Sequence, residues 1–395
     1  MAPLRFTVVS PSRRFLPLST GLPRYLVLGC TILAGLPALR VDTPLPALSR
    51  LSGEALAAGD FNGDGLDDLV VGHPSVRSPE GFAVLTTLIS RGDGTFSTSP
   101  ILFSEGFDAR TARRVIAADF NRDGRLDLAI ETLDSSFDRY AAILLGRGDG
   151  SFRVQDRSIG GDKVSDLAAA DMNGDGIPNL VVSDSEGPST RIDIYLGRGD
   201  GTVTLSRTHR DPAAPLRVIT GDVNHDGKPD VLAITAGEST RLDVLLNDGA
   251  GKLTRTDSHP LAPRTHALAA ADLDRDGNLD AVTADETSDT VHVFLGRGDG
   301  TFAPDTTSPT GAKPVSLAVG DANGDGKPEV VTANAGSDDI SVLSGGEAGK
   351  LSILTTFPGV GDPGRVALAN VDGRDGPEIV ITSAQPAGVR VLFTP

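Results

Sequence analysis

Four aspartates crowd one short loop: Asp272, Asp274, Asp276 and Asp280. Counting Asp272 as position 1, carboxylates fall at positions 1, 3, 5 and 9, and Gly277 at position 6 permits a sharp backbone turn. Oxygen donors at 1, 3 and 5, with a backbone carbonyl expected at 7, describe the first half of a calcium loop. An anionic, flexible, all-oxygen donor set suits Ca²⁺ better than Zn²⁺. It also suits Ca²⁺ better than Mg²⁺, which prefers tight octahedral geometry with retained water.

The loop recurs along the chain. Its other copies carry Asp60, Asn62, Asp64 and Asp68; Asp119, Asn121, Asp123 and Asp127; Asp171, Asn173 and Asp175; Asp222, Asn224, Asp226 and Asp230; and Asp321, Asn323, Asp325 and Glu329. A worn seventh copy starts at Asn370, and the successive intervals are 59, 52, 51, 50, 49 and 49 residues. An EF-hand or dockerin loop needs a bidentate Glu at position 12, where these copies have Val71, Ile130, Val182, Ala233, Thr283 and Thr332. Position 9 must therefore close the coordination shell. The third copy has Asn179 there, a weaker neutral ligand. The seventh has Arg374 at position 5, and a guanidinium opposes a cation, so that loop is expected to be metal-free. Clusters of Asx and Gly can be plain turns. Six near-perfect copies at a fixed period argue instead for about six Ca²⁺ sites.

Each copy sits in the same local grammar. An Ala/Val-rich stretch leads in, as in PVSLAVGD (314–321), and a β-branched run leads out, as in VLAIT (231–235). An alternating run follows, as in IDIYLG (192–197), then a GRGDGTF-type turn and a more polar strand. Four strands in about 50 residues, repeated seven times, predict an all-β, seven-bladed β-propeller of four-stranded antiparallel blades over residues 39–395. Solenoid units are shorter and lack this grammar. Small pairs such as Ala57-Ala58 and Ala269-Ala270 suit innermost strands crowding a central channel. The last repeat lacks a fourth strand, so Leu39–Leu45 is expected to pair beside 389–393 and close the ring, removing an open sheet edge. Arg-Gly-Asp occurs at 91–93, 147–149, 198–200 and 297–299, where the repeat needs a glycine-rich hairpin and where one copy reads Asn247-Asp248-Gly249. These triplets are read as turns, not as adhesion ligands.

The acidic loops, together with the Gly-rich turns before Thr95-Phe96 and Thr301-Phe302, resemble the FG-GAP/VCBS repeat family and the seven-bladed head of integrin alpha subunits. The resemblance covers about residues 39–395. It implies that the loop joining the first two strands of a blade holds calcium, and that such a head mostly binds partners. The departures at the seventh loop put that loop in doubt.

The rest of the sequence narrows the function class. A net charge of −17 argues against nucleic acid and anionic membrane surfaces and favours cations. One cysteine excludes a disulfide framework. Residues 1–38 hold Arg5, Arg13, Arg14 and Arg24, no acid, and the apolar run YLVLGCTILAGL (25–36), which reads as a secretory signal peptide. Without it the chain has 32 basic and 53 acidic residues, net −21. No G-x-S-x-G or H-E-x-x-H motif occurs, and the six histidines lack ligand spacing. The expectation is a secreted or periplasmic, monomeric, non-catalytic calcium propeller that binds an extracellular protein or glycan. A lectin-like propeller is one alternative, against which Trp 0 and 4% aromatics weigh. A hydrolase or lyase on the same scaffold is the other. The first repeat is the longest, and its surplus is expected in surface turns at 72–81 and 104–112, with a further long turn at 131–139. These would present Arg77, Phe107, Arg110 and Phe137 as partner anchors.

Overall fold

The computed structural model describes residues 55–393, apart from 79–80, 104–109, 135, 137, 162, 186–189, 346 and 375. It is a seven-bladed β-propeller. In the third blade, Val164–Ala170, Asn179–Asp184, Arg191–Gly197 and Val203–Arg210 pair antiparallel in chain order, from the channel outward. Among the described residues, six blades have four strands. The seventh has three: Pro363–Ala369, Glu378–Ala384 and Ala387–Leu392. There is no α-helix among the described residues, only a 3₁₀ turn at Glu347–Gly349. Residues 1–38 and the expected closing strand Leu39–Leu45 lie outside the described residues.

Burial explains the blade pattern. A second strand is covered on both faces by neighbouring blades, so it reads as an unbroken apolar run; Asp230–Ala236 is buried except for its last residue. A fourth strand lies on the circumference, and Val203–Arg210 is largely exposed. The core is therefore divided into layers between blades. One layer packs Val70, Val84 and Leu85 of the first blade against Leu128, Ile130 and Leu144 of the second. Another packs Leu69, Val71 and Leu88 against Val380, Val389 and Val391, joining the first blade to the seventh. Each such aliphatic side chain contributes about 1.5–3 kcal/mol on burial. At that junction Asp67 N donates to Asn370 O at 2.8 Å, and Ser90 Oγ donates to Val371 O. The ring is thus shut by packing and by hydrogen bonds across the junction.

The surplus of the first repeat takes a form the sequence did not indicate. Segment 72–81, expected as an exposed turn, is largely strand. Asp68–Ser78 and Gly81–Ser90 extend their hairpin through Val76↔Ala83, Arg77↔Phe82 and Ser78↔Gly81, past a bulge after Gly72. The cause is composition. Val76, Phe82 and Val84 are strand formers, and Pro74 interrupts the pairing only where the strand turns to bridge Thr111 of the second blade.

A buried acid stands out in the second blade. Glu131 is 2% exposed, its Oε1 has no hydrogen-bond partner, and burial pushes its pKa up to about 7. Arg113, Arg114 and Arg139 oppose that shift and Asp166 adds to it. The unfolded chain ionises near 4.5 and the folded one near 7. Stability is therefore complete below the first value and is lost as pH rises through the second. Glu131→Gln should raise the melting temperature at pH 8 and leave it nearly unchanged at pH 4. Calorimetry at the two pH values checks this.

Candidate metal centres on one rim

The acidic loops join the first and second strands of each blade, and the Gly-rich turns join the third and fourth. Both sets lie on one rim and interlock between neighbours. Gly150 N, in the second blade's turn, donates to Phe61 O in the first blade's loop at 3.0 Å, and Gly300 N does the same to Val223 O. Gly150 holds φ 77°, and a Cβ there would lie 2.3 Å from Ile89 Cδ1, so only glycine fits. The Arg-Gly-Asp triplets are these turns. Arg91 N donates to Thr95 O at 3.0 Å while Thr95 N donates to Asp93 Oδ1 at 2.9 Å.

Three layers of local structure hold each loop. Position 1 is an anchor for backbone donors. Asp60 Oδ1 accepts from Gly63 N at 2.6 Å and Asp64 N at 3.2 Å, and Oδ2 accepts from Gly65 N at 2.9 Å. Burial opposes ionisation of Asp60, but the N–H groups of Gly65, Gly63, Asn62 and Asp64 outweigh it and hold its pKa below the usual range. Position 2 is an apolar plug: Phe61, Phe120, Met172, Val223, Leu273, Ala322 and Val371 are all buried. Phe61 meets Phe152 of the next blade edge-on, centroids 5.5 Å apart. Position 4 as well as position 6 is left-handed. Arg122, His225 and Arg275 adopt φ of 59°, 58° and 65° where other copies have glycine. His225 is exposed, and its Nε2 lies 2.7 Å from Asn278 Oδ1 of the next loop.

Position 9 has a structural role beyond the one expected of it. Asp230 is fully buried; its Oδ2 accepts from Val223 N at 3.2 Å and its Oδ1 from Asn247 N at 2.8 Å. Asp68, Asp127 and Asp280 bond the equivalent pairs, Phe61 and Ser90, Phe120 and Gly146, and Leu273 and Gly296. The side chain staples the loop to the start of the Gly-rich turn. Asn179 performs half of this, with Oδ1 accepting from Met172 N at 2.7 Å, so a neutral acceptor serves there. Glu329 Oε2 accepts from Ala322 N at 3.0 Å. Burial raises the pKa of Asp68, Asp127, Asp230 and Asp280 to about 6, with the carboxylates at positions 1 and 5 or 3 and 5 adding to the shift. Each bonded oxygen can accept a second partner, so the staple leaves capacity toward a cation.

The donor set fits such a cation. Ligand oxygens of Asp272, Asp274 and Asp276 lie within 4.8 Å of one another, and Asp272 Oδ1 is buried with no hydrogen-bond partner. An orphaned carboxylate oxygen facing two further carboxylates is costly unless a positive charge joins them. In the seventh loop a side chain supplies that charge: Arg374 Nε lies 3.3 Å from Asp372 Oδ2. Of the four residues expected to anchor a partner, Phe107 and Phe137 lie outside the described residues. Arg77 is in the extended hairpin, and Arg110 is exposed.

The position 2 plug and the position 9 staple were missed in sequence. The apolar residue at position 2 of every copy was the readable signal.

Comparison with known proteins agrees with this geometry. An FG-GAP-like repeat model matches residues 60–130, 171–233, 222–283 and 272–332, and an FG-GAP repeat model matches 314–354. The fold is similar to that of BBS1N, crystallised in complex with ARL6DN, with TM-score 0.61, 12% identity, and coverage of 90% of this chain and 97% of that one. It is also similar to a Lactobacillus plantarum protein, with TM-score 0.58, 14% identity and coverage of 80% and 88%. An Agrocybe aegerita lectin that recognises non-reducing terminal N-acetylglucosamine matches at TM-score 0.50 and 17% identity, with coverage of 76% and 78%. The repeat matches span well over half of the sequence, and on them the chain belongs to the FG-GAP-like repeat family.

Proposed function

We propose that the protein is a secreted, calcium-stabilised, non-catalytic propeller that presents a rigid surface to an extracellular macromolecule. The observation that carries the reading is the rim of six acidic loops, each pre-shaped by its own backbone. In the all-aspartate copy, three carboxylates converge and one buried oxygen is left without a partner. The residues that would hold Ca²⁺ are those at positions 1, 3, 5 and 9. Bound there, the ion supplies charge compensation, and the chain supplies the turn, the plug and the staple. The catalytic alternative gains no support from the loops, because their carboxylates repeat with the blades. The basic, apolar N-terminal sequence supports export, where calcium at about millimolar concentration matches the affinity of such modules, about 10⁻⁴–10⁻³ M. The test is capture on the immobilised protein from arrayed purified extracellular proteins and glycans. Capture should be present with calcium and lost in EDTA. Binding that is indifferent to EDTA, or turnover of an arrayed glycan, would contradict the reading.

A further inference from the structure

Asn-Gly is a self-modifying dipeptide, because a glycine amide has no neighbouring Cβ to hinder its attack on the side chain before it. The asparagines of this chain that precede glycine are Asn62, Asn173 and Asn323. All three stand at position 3 of an acidic loop, with the glycine at position 4. The other copies place a side chain at position 4, in Asn121-Arg122, Asn224-His225 and Asp274-Arg275.

The loop holds the reacting groups together. Asn62 Oδ1 accepts from Asp64 N at 2.8 Å, which folds the side chain back over the Gly63 peptide. Gly63 N donates to Asp60 Oδ1 at 2.6 Å, so the proton that must leave the attacking nitrogen already faces a carboxylate. Asn62 Nδ2, the group that must depart, donates to Asp64 Oδ2 at 2.9 Å. The third loop repeats this: Gly174 N donates to Asp171 Oδ1 at 2.7 Å, and Asn173 Nδ2 to Asp175 Oδ2 at 2.8 Å. The sixth differs. Asn323 Nδ2 donates to Glu329 Oε1 at 3.2 Å, and among the described residues Gly324 N has no carboxylate acceptor. Gly63, Gly174 and Gly324 are exposed, and a Cβ on any of them would meet nothing within 4 Å. There is room for a five-membered ring and for water.

We propose that Asn62, Asn173 and Asn323 deamidate spontaneously when their loops are free of metal, with Asp60 and Asp171 as proton acceptors for the first two. Gly63 N attacks Asn62 Cγ and the N–Cγ bond forms. The N–H proton passes to Asp60, the Cγ–Nδ2 bond breaks, and Nδ2 leaves as ammonia with that proton. Water then opens the succinimide at either carbonyl, giving aspartate or isoaspartate. Aspartate at position 3 reproduces the Asp272, Asp274 and Asp276 set. Isoaspartate inserts a backbone carbon between positions 3 and 4 and pulls the donors out of register. The dependence on metal rests on the calcium reading above, since an ion held by Asp60 and Asn62 fixes both side chains. With a dissociation constant of about 0.1 mM in about 1 mM calcium, a loop is empty about one-tenth of the time, and the reaction slows about tenfold.

Peptide mass spectrometry of the full chain tests this, after ageing at mildly alkaline pH in EDTA and in calcium, below the melting transition of each. In EDTA the mass gain of NH₂ replaced by OH should accumulate first at Asn62 and Asn173, then at Asn323, and not at Asn121 or Asn224. In calcium it should accumulate about tenfold more slowly. Gly63→Arg should abolish the gain at Asn62 and leave Asn173 unchanged. Arginine is tolerated at that position, because Arg122 and Arg275 hold the same left-handed conformation. Should the variant not fold, Asn121 and Asn224 of the wild type make the same comparison. No gain at the three sites in EDTA, equal gain at Asn121 and Asn224, or Asn323 ahead of the other two would overturn the proposal, whatever the metal count. Equal rates in EDTA and calcium would overturn its dependence on metal. If the chain then also binds no calcium in dialysis, the calcium reading has failed, while the modification stands on the EDTA result.

Discussion

Removing calcium should lower the melting temperature by about 10 °C. A site with a dissociation constant of about 0.1 mM in about 1 mM calcium contributes roughly 1.4 kcal/mol. Six independent sites contribute about 8 kcal/mol on the same basis. An unfolding entropy of about 2 cal/mol/K per residue converts that into about 10 °C for a propeller of this size. The eighteen carboxylates at ligand positions in the six loops make the metal-free state worse, since their mutual repulsion is then uncompensated. Differential scanning calorimetry with calcium and with EDTA measures the difference, and an unchanged transition would refute the calcium assignment.

The second large effect is expected from the staple. Asp230→Ala leaves the N–H groups of Val223 and Asn247 buried without an acceptor. At about 1–3 kcal/mol for each orphaned donor, the cost is about 4 kcal/mol. Asp230→Asn keeps one acceptor, as Asn179 does in the third blade, and should cost half of that or less. Urea unfolding of both variants in EDTA isolates the staple from any ligand role. Equal stability of Asp230→Ala and the wild type in EDTA would show that position 9 matters only to the metal.

The difference between what was legible in the sequence and what was not follows from the repeat itself. Seven copies of one grammar make the blade count, the strand order and the acidic loops readable, because a feature that recurs on schedule cannot be chance. The Arg-Gly-Asp triplets were placed correctly for the same reason, through the copy that reads Asn247-Asp248-Gly249. Position 9 was readable as an oxygen donor but not as a staple. An aspartate that accepts two backbone N–H bonds looks the same in sequence as one that ligates a metal. Features that break the repeat were hardest to read. Arg114, Arg217 and Arg365 are equivalent to Ala55, Ala267 and Ser316, so alignment by repeat makes them look like variation. Only the closed ring brings them to one cavity. Of the first repeat's expected surplus, the part at 72–81 does lie between its second and third strands, but as strand rather than turn, and 104–109 lie outside the described residues. Pairing of Val76 with Ala83 and of Arg77 with Phe82 makes it a longer hairpin.

The central claim is the metal content of the rim. Equilibrium dialysis against radioactive calcium, at a free concentration about tenfold above the expected 10⁻⁴–10⁻³ M affinity, counts the ions directly. The account predicts six per chain, the seventh loop being closed to a cation by the Arg374 guanidinium. One ion or none per chain would contradict it.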